Sequence, residues 1–231
     1  AGQLPQRPGP EGGAMFHREW FPVVRHIPAE ARLAVRYWDK AASENQGDYS
    51  AGVLIVLHDD LWYIADVVHG RWSIRDRNRI IQQTAQMDRA RFPDLTIVVE
   101  QEPGSGGKES AEFSVRQLAG YHVRVDRVTG AKELRAQPLA DQCEAGNVRL
   151  VRGQWNYRFI EELCVFPAGD HDDQVDAAAG AFAWSIKAPQ FAAPSVTRIA
   201  FDASRYGVHF HASDGWRRMW RDRHRRSDRA G

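Results

Sequence analysis

Sulfur is scarce in this chain: two cysteines and three methionines among 231 residues. Cys143 and Cys164 cannot by themselves build a disulfide framework or a four-ligand zinc site, and they suit a reducing, intracellular setting. No run of eighteen apolar residues occurs, so a membrane-spanning helix and a membrane partner are excluded. The opening AGQLPQRPGPEGGAMF has no apolar stretch of the kind a secretory signal requires. An intact GxxxxGK[ST] phosphate loop is also missing. Its nearest approach, GSGGKES, has Glu102 where the first glycine belongs and Glu109 where a hydroxyl should hold Mg²⁺. That argues against a P-loop NTPase. No internal repeat is present.

What remains is the balance of a globular domain, 43% hydrophobic and 26% charged, enough apolar material for a core. Net charge is only +1, but it is unevenly spread. Residues 216–231, WRRMWRDRHRRSDRAG, hold seven arginines against two aspartates. Such a tail suits a polyanionic partner, because neutralising phosphates releases counterions; a solvated tail is the plain alternative.

Residues 1–30 are rich in Pro and Gly and read as a linker or upstream remnant, 31–187 as the folded domain, and 188–231 as a basic tail. The spacing predicts a strand over 32–39 and a hairpin of strands over 51–58 and 61–69, joined by Asp59 and Asp60. A helix is predicted over 74–91, with Ile74, Ile80, Ile81, Thr84 and Met87 on its apolar side and Pro93 beyond its end. LTIVVE (95–100) is a short continuous apolar run, suited to a strand buried on both faces. The turn PGSGG follows it, then a helix over 108–119, a strand over 121–128, helices over 131–146 and 157–166, and an Ala-rich helix over 172–187. The expectation is an α/β domain: an antiparallel three-strand meander leading into β-α-β units, flanked by helices.

Acidic residues stand at the ends of three of these elements. Asp39 ends the first strand, Glu100 ends the buried strand, and Asp172, Asp173 and Asp176 open the last helix in HDDQVDAAAGAF. Singly, each has an ordinary explanation, as a loop residue or as a helix cap answering the dipole. Together they suggest one site. Asp173 and Asp176 share a helix face, and the small residues behind them let the helix lie close to a sheet. Carboxylates gathered so closely repel unless cations intervene, and hard oxygen ligands select Mg²⁺ or Mn²⁺. Two such ions about 3.5–4 Å apart would activate a water and stabilise the leaving oxygen in phosphodiester hydrolysis.

The strand-borne acid of WDKAAS with GDYSAGV after it, the glutamate closing IVVE before a Gly-rich turn, and HDDQVDA at a helix start resemble the nuclease domain of phage large terminases. The resemblance covers about residues 31–187. It implies an RNase H-like fold related to Holliday-junction resolvases, and cleavage of concatemeric viral double-stranded DNA during packaging with two Mg²⁺ or Mn²⁺ ions. By position it implies that Asp39 is the first-strand metal ligand, Glu100 the second, and Asp173 and Asp176 the helix-borne ones. Asp172 remains either a ligand or a cap. Complete large terminases carry an ATPase motor, and work with a small terminase and a portal in the cytoplasm of an infected bacterium. This chain is expected to be the nuclease part without the motor.

Secondary candidates are Lys108, Arg217 and Arg218 as DNA contacts, His171 as an orienting group or a surface residue, and Asp48 as a loop-positioning residue. Asp66 faces either the acidic cluster or solvent, and HFHASDGW (209–216) is a weak metal match. Two other functions fit the same residues: a structure-selective junction resolvase, and a DNA-binding packaging module without catalysis.

Overall fold

The computed structural model describes residues 14–29, 33–40, 49–101 and 104–187. Its centre is a seven-stranded sheet of order β1-β7-β4-β3-β2-β5-β6. The strands are β1 (Val23–Val24), β2 (Leu33–Asp39), β3 (Ser50–His58), β4 (Leu61–Gly70), β5 (Thr96–Gln101), β6 (His122–Arg127) and β7 (Val148–Val151). β2, β3 and β4 form the antiparallel meander. β5 adds in parallel to β2, β6 to β5, β7 to β4 and β1 to β7. Only β3 therefore runs against the rest, and the carboxyl ends of β2, β5 and β6 lie together at one edge. The expected mixed α/β architecture is the observed one.

The helices are α1 (Ile74–Arg91), α2 (Ser105–Gln117), α3 (Lys132–Glu144), α4 (Asn156–Val165) and α5 (Asp173–Lys187). α1 and the end of α2 cover one face of the sheet, where Ile81, Ala85 and Leu118 pack on Trp38, Leu54, Ile97 and Val99. α3, α4 and α5 cover the other, burying Leu139, Phe159, Leu163 and Phe182 against Val35, Tyr37, Val53 and Val98. This three-layer arrangement explains why β3 and β5 read as nearly unbroken apolar runs: both faces of these strands are covered.

Local chemistry fixes several boundaries. Ser73 caps α1, accepting a hydrogen bond from the Asp76 N–H at 3.1 Å. The hairpin between β3 and β4 turns on Asp59 and Asp60, both at positive φ (47° and 61°), as the two-residue turn that follows the strand twist demands.

Four sequence expectations need correction. The PGSGG stretch is not wholly a turn, because α2 already begins at Ser105, after Gly104 at φ 96°. Met87 and Ile74 are exposed on α1, at 62% and 44%. The buried side of that helix is instead Arg77, Ile81, Thr84, Ala85 and Asp88. Asp88 belongs inside because Arg36, fully buried on β2, donates to both of its carboxylate oxygens, at 2.8 and 3.1 Å. β7 was missed, since VRLV is only four residues long and gains its stability from pairing with β4 and β1. Finally, the stretch read as a linker contributes Phe16 and Phe21 to the core and β1 to the sheet; its Pro/Gly content masked those apolar anchors.

Candidate metal centre

The site grows from the alternation of β2. Tyr37 and Asp39 point to the α5 face and Arg36 and Trp38 to the other, and the parallel register with β5 (Trp38 opposite Val99) sets Asp39 beside Glu100. Glu100 pairs in turn with Asp126 on β6. Three strand ends thus carry three acids in a row. α5 crosses β2 and β3 on this face, bringing its amino end, with Asp173 and Asp176, to the same edge.

Close approach of α5 depends on Gly180. A Cβ there would lie 2.4 Å from the ring of Tyr37, so only glycine lets the helix rest on that ring. The Tyr37 hydroxyl then reaches Glu100 Oε2 and Asp126 Oδ2, each 3.1 Å away. Burial, followed by the charges of Glu100 and Asp126, pushes the phenol well above its ordinary range, which leaves it a hydrogen-bond donor. On α4, Glu162 accepts the Gln174 N–H at 2.7 Å and also bonds the Gln174 side-chain amide, tying down the first turn of α5.

The acids perturb one another. Burial pushes Asp39 well above the usual carboxylate range, and the charges of Glu100, Asp176 and Asp173 push it further; Lys132 opposes them. Glu100, Asp173 and Asp176 are also raised, first by burial. For Glu100, the Tyr37 hydrogen bond and Arg135 counteract, while Asp176 and Asp126 add to the rise. For Asp176, Arg135 and Lys132 counteract. Burial is the largest cause throughout; neighbouring acids add to it most clearly at Asp39 and Glu100.

Two cations of α3 supply part of that compensation. Lys132 Nζ stands 2.7 Å from both carboxylate oxygens of Asp172 and 3.1 Å from Asp176 Oδ2. Arg135 Nη2 donates to Asp176 Oδ1 at 2.7 Å. Burial alone would lower the pKa of Lys132, but its bonds to Asp172 and Asp176 outweigh that and raise it. Among the described residues, no three His, Cys, Asp or Glu side chains form a ready-made ligand cage. The donor set nevertheless fits a hard divalent cation: it is all oxygen and carried on the ends of strands and a helix.

Cationic groups flank the acids. On one side Arg71 lies 4.2 Å over the ring of Tyr49, which stacks on His69 and meets His171 edge-on. Burial, then Arg158, His171 and Arg71, lowers His69 to about 4, so it is neutral at physiological pH. On the opposite face of the sheet, where α2 packs, an open cleft beside Gln101 is lined by Lys108, Arg116 and Arg127 together with Glu112.

Asp39, Glu100, Asp173 and Asp176 are thus brought together, and Asp172 lies beside them, facing Lys132. Lys108 is exposed on α2, 3.8 Å from Glu112. Asp66 points away from the acidic edge and pairs with Arg36 at 2.7 Å. Asp48, Arg217, Arg218 and the HFHASDGW stretch lie outside the described residues. Sequence reasoning missed Tyr37, Asp126, Lys132, Arg135 and Glu162. For Tyr37 a signal existed: it stands two residues before Asp39 on the same strand face. The others become visible only through tertiary pairing.

An α/β sheet with one reversed strand, acids at adjoining strand ends and a crossing acidic helix define an RNase H-like domain. Residues 36–183 match the family described as the terminase RNaseH-like domain, and the chain belongs to that family. No curated protein matches by sequence. Among solved structures, the large terminase nuclease from thermophilic phage G20c with bound magnesium is similar at 16% identity and a TM-score of 0.54, over 75% of this chain and 98% of that one. The same nuclease with bound zinc is similar at 19% identity and a TM-score of 0.52, over 70% and 85%. The human cytomegalovirus terminase nuclease domain, soaked with manganese, is similar at 12% and 0.52, over 67% and 84%.

Proposed function

We propose that this protein is an endonuclease dependent on Mg²⁺ or Mn²⁺ that cuts double-stranded viral DNA concatemers during genome packaging. Its partners would be a terminase motor, a small terminase and a portal, in the cytoplasm of an infected bacterium. The observation that supports the reading is that Asp39, distant in sequence from Glu100, Asp173 and Asp176, feels the charge of all three at one sheet edge. The terminase nucleases crystallised with magnesium, zinc or manganese support it by kinship.

In this reading Asp39, Glu100, Asp173 and Asp176 hold the metal, with Asp172 at its margin. When bound, a pair of divalent ions supplies activation of the attacking water and stabilisation of the leaving oxygen. Tyr37 fixes the orientation of Glu100, Gly180 lets α5 approach, and Glu162 anchors the first turn of α5. Lys108, together with Arg116 and Arg127 of the cleft on the α2 face, holds the phosphate backbone without reading sequence; Arg217 and Arg218 of the basic tail add to that grip.

Asp39→Ala, Glu100→Ala and Asp176→Ala are each expected to abolish Mn²⁺-dependent cleavage of plasmid DNA while leaving the fold intact by circular dichroism. Removing Asp39 or Glu100 relieves repulsion in the unliganded protein, whereas removing Asp176 costs its ion pairs with Arg135 and Lys132 and should lower the melting temperature without changing the spectrum. Full cleavage by two of the three variants would remove the site assignment. Preferential cleavage of four-way junctions over linear duplex would reassign the enzyme as a resolvase, and duplex binding without cleavage at any Mn²⁺ concentration would make it a binding module.

A further inference from the structure

Lys132 and Arg135 open α3, three residues apart and therefore on one helix face, and α3 packs along α5. Both carboxylate oxygens of Asp176, a residue only 5% exposed, are taken by this pair: Oδ1 by Arg135 at 2.7 Å and Oδ2 by Lys132 at 3.1 Å. Asp172 gives both of its oxygens to Lys132 at 2.7 Å. One ammonium thus bridges two acids at the amino end of α5, as a small cation would. A lysine ammonium is a compact point charge on a flexible stem, and the Lys132 side chain is 48% exposed, so it has room to swing away. Arg135 is more enclosed, at 22%, and its planar guanidinium bonds a single oxygen of Asp176.

We propose that Lys132 is a built-in stand-in for a divalent ion: it holds Asp172 and Asp176 together in the unliganded protein, and it competes with metal for them. This rests on reading the acids as a metal site. A divalent ion and an ammonium cannot share the same carboxylate oxygens without repelling at a few ångströms, so metal entry displaces the lysine. Arg135 stays, leaving Asp176 Oδ2 as the oxygen released to the ion. The freed ammonium lies beside the site, where the phosphate of a DNA strand would neutralise it. Metal loading and DNA loading thereby favour each other.

Isothermal titration calorimetry with Mn²⁺ alone, without DNA, tests the proposal on wild type, Lys132→Met and Lys132→Arg. Lys132→Met should bind Mn²⁺ about tenfold more tightly, the order expected for removing a unit charge a few ångströms away in a partly exposed site. Lys132→Arg, which keeps the charge, should stay near wild type. In EDTA the Met variant should melt below wild type, and saturating Mn²⁺ should close that gap. Unchanged or weaker Mn²⁺ binding by Lys132→Met overturns the competition while leaving the metal site standing. No binding by wild type overturns the metal reading itself, and the inference with it. Should Lys132→Met fail to fold, Lys132→Gln replaces it with the same expected direction.

Discussion

At the scale of single residues, the charge on Asp39 is in conflict with its surroundings. Burial and the neighbouring Glu100, Asp176 and Asp173 raise its pKa above the unfolded value. Below that unfolded value, near about 3.9, the carboxyl is neutral in both states; as pH rises through the folded value, the stability it contributed is lost. Asp39→Asn escapes the penalty. In EDTA its melting-temperature advantage over wild type should widen as pH rises from about 4 toward about 8. A gap that stays constant with pH would show that Asp39 is not under strain from its neighbours. Of these charges, Asp39, Glu100, Asp173 and Asp176 were legible in the sequence because each ends or opens a recognisable element. Lys132 and Arg135 were not, because a cation at the start of a helix looks like surface until its partner helix is known.

At the scale of elements, α5 is positioned by small residues as much as by apolar ones. Ala177, Ala178, Ala179 and Ala181 are buried, and Gly180 sits on the Tyr37 ring. Gly180→Ala gains up to about 1 kcal/mol in helix propensity. The added methyl, however, meets a ring that is fully buried and held at its hydroxyl by Glu100 and Asp126. Overpacking of that kind costs about 1–3 kcal/mol, so the variant should be less stable by roughly 1–2 kcal/mol in urea denaturation. Its Mn²⁺ affinity should fall too, because α5 carries Asp173 and Asp176 outward with it. Equal stability would mean that the helix can shift at no cost. The end of α1 and the hairpin were legible because Pro93 and the Asp59–Asp60 turn act locally. β1 and β7 were not, since two- and four-residue strands hold only through their neighbours.

At the scale of the whole molecule, the net charge of +1 conceals a division of labour. Acids collect at the carboxyl ends of β2, β5 and β6 on the α5 face, and three cations with one glutamate line a cleft on the α2 face. If DNA lies along that cleft, Lys108, Arg116 and Arg127 each neutralise about one phosphate, and every such contact adds ~0.9 to the salt dependence. The triple alanine variant should therefore bind duplex DNA in EDTA with a log–log salt slope shallower by about 2–3, measured by fluorescence anisotropy. A slope equal to that of wild type would place the DNA elsewhere.

The sequence by itself determined the class of the fold, the run of elements from β2 to α5 apart from β7, and which acids were in contention, because strand alternation and turns are written in neighbouring residues. Only the tertiary structure decided that Asp66 belongs to Arg36, that Tyr37 bridges Glu100 and Asp126, and that α3 lends its cations to α5. Those pairings join residues 30 to 89 positions apart, and no local preference of the chain encodes which distant charge a side chain will meet.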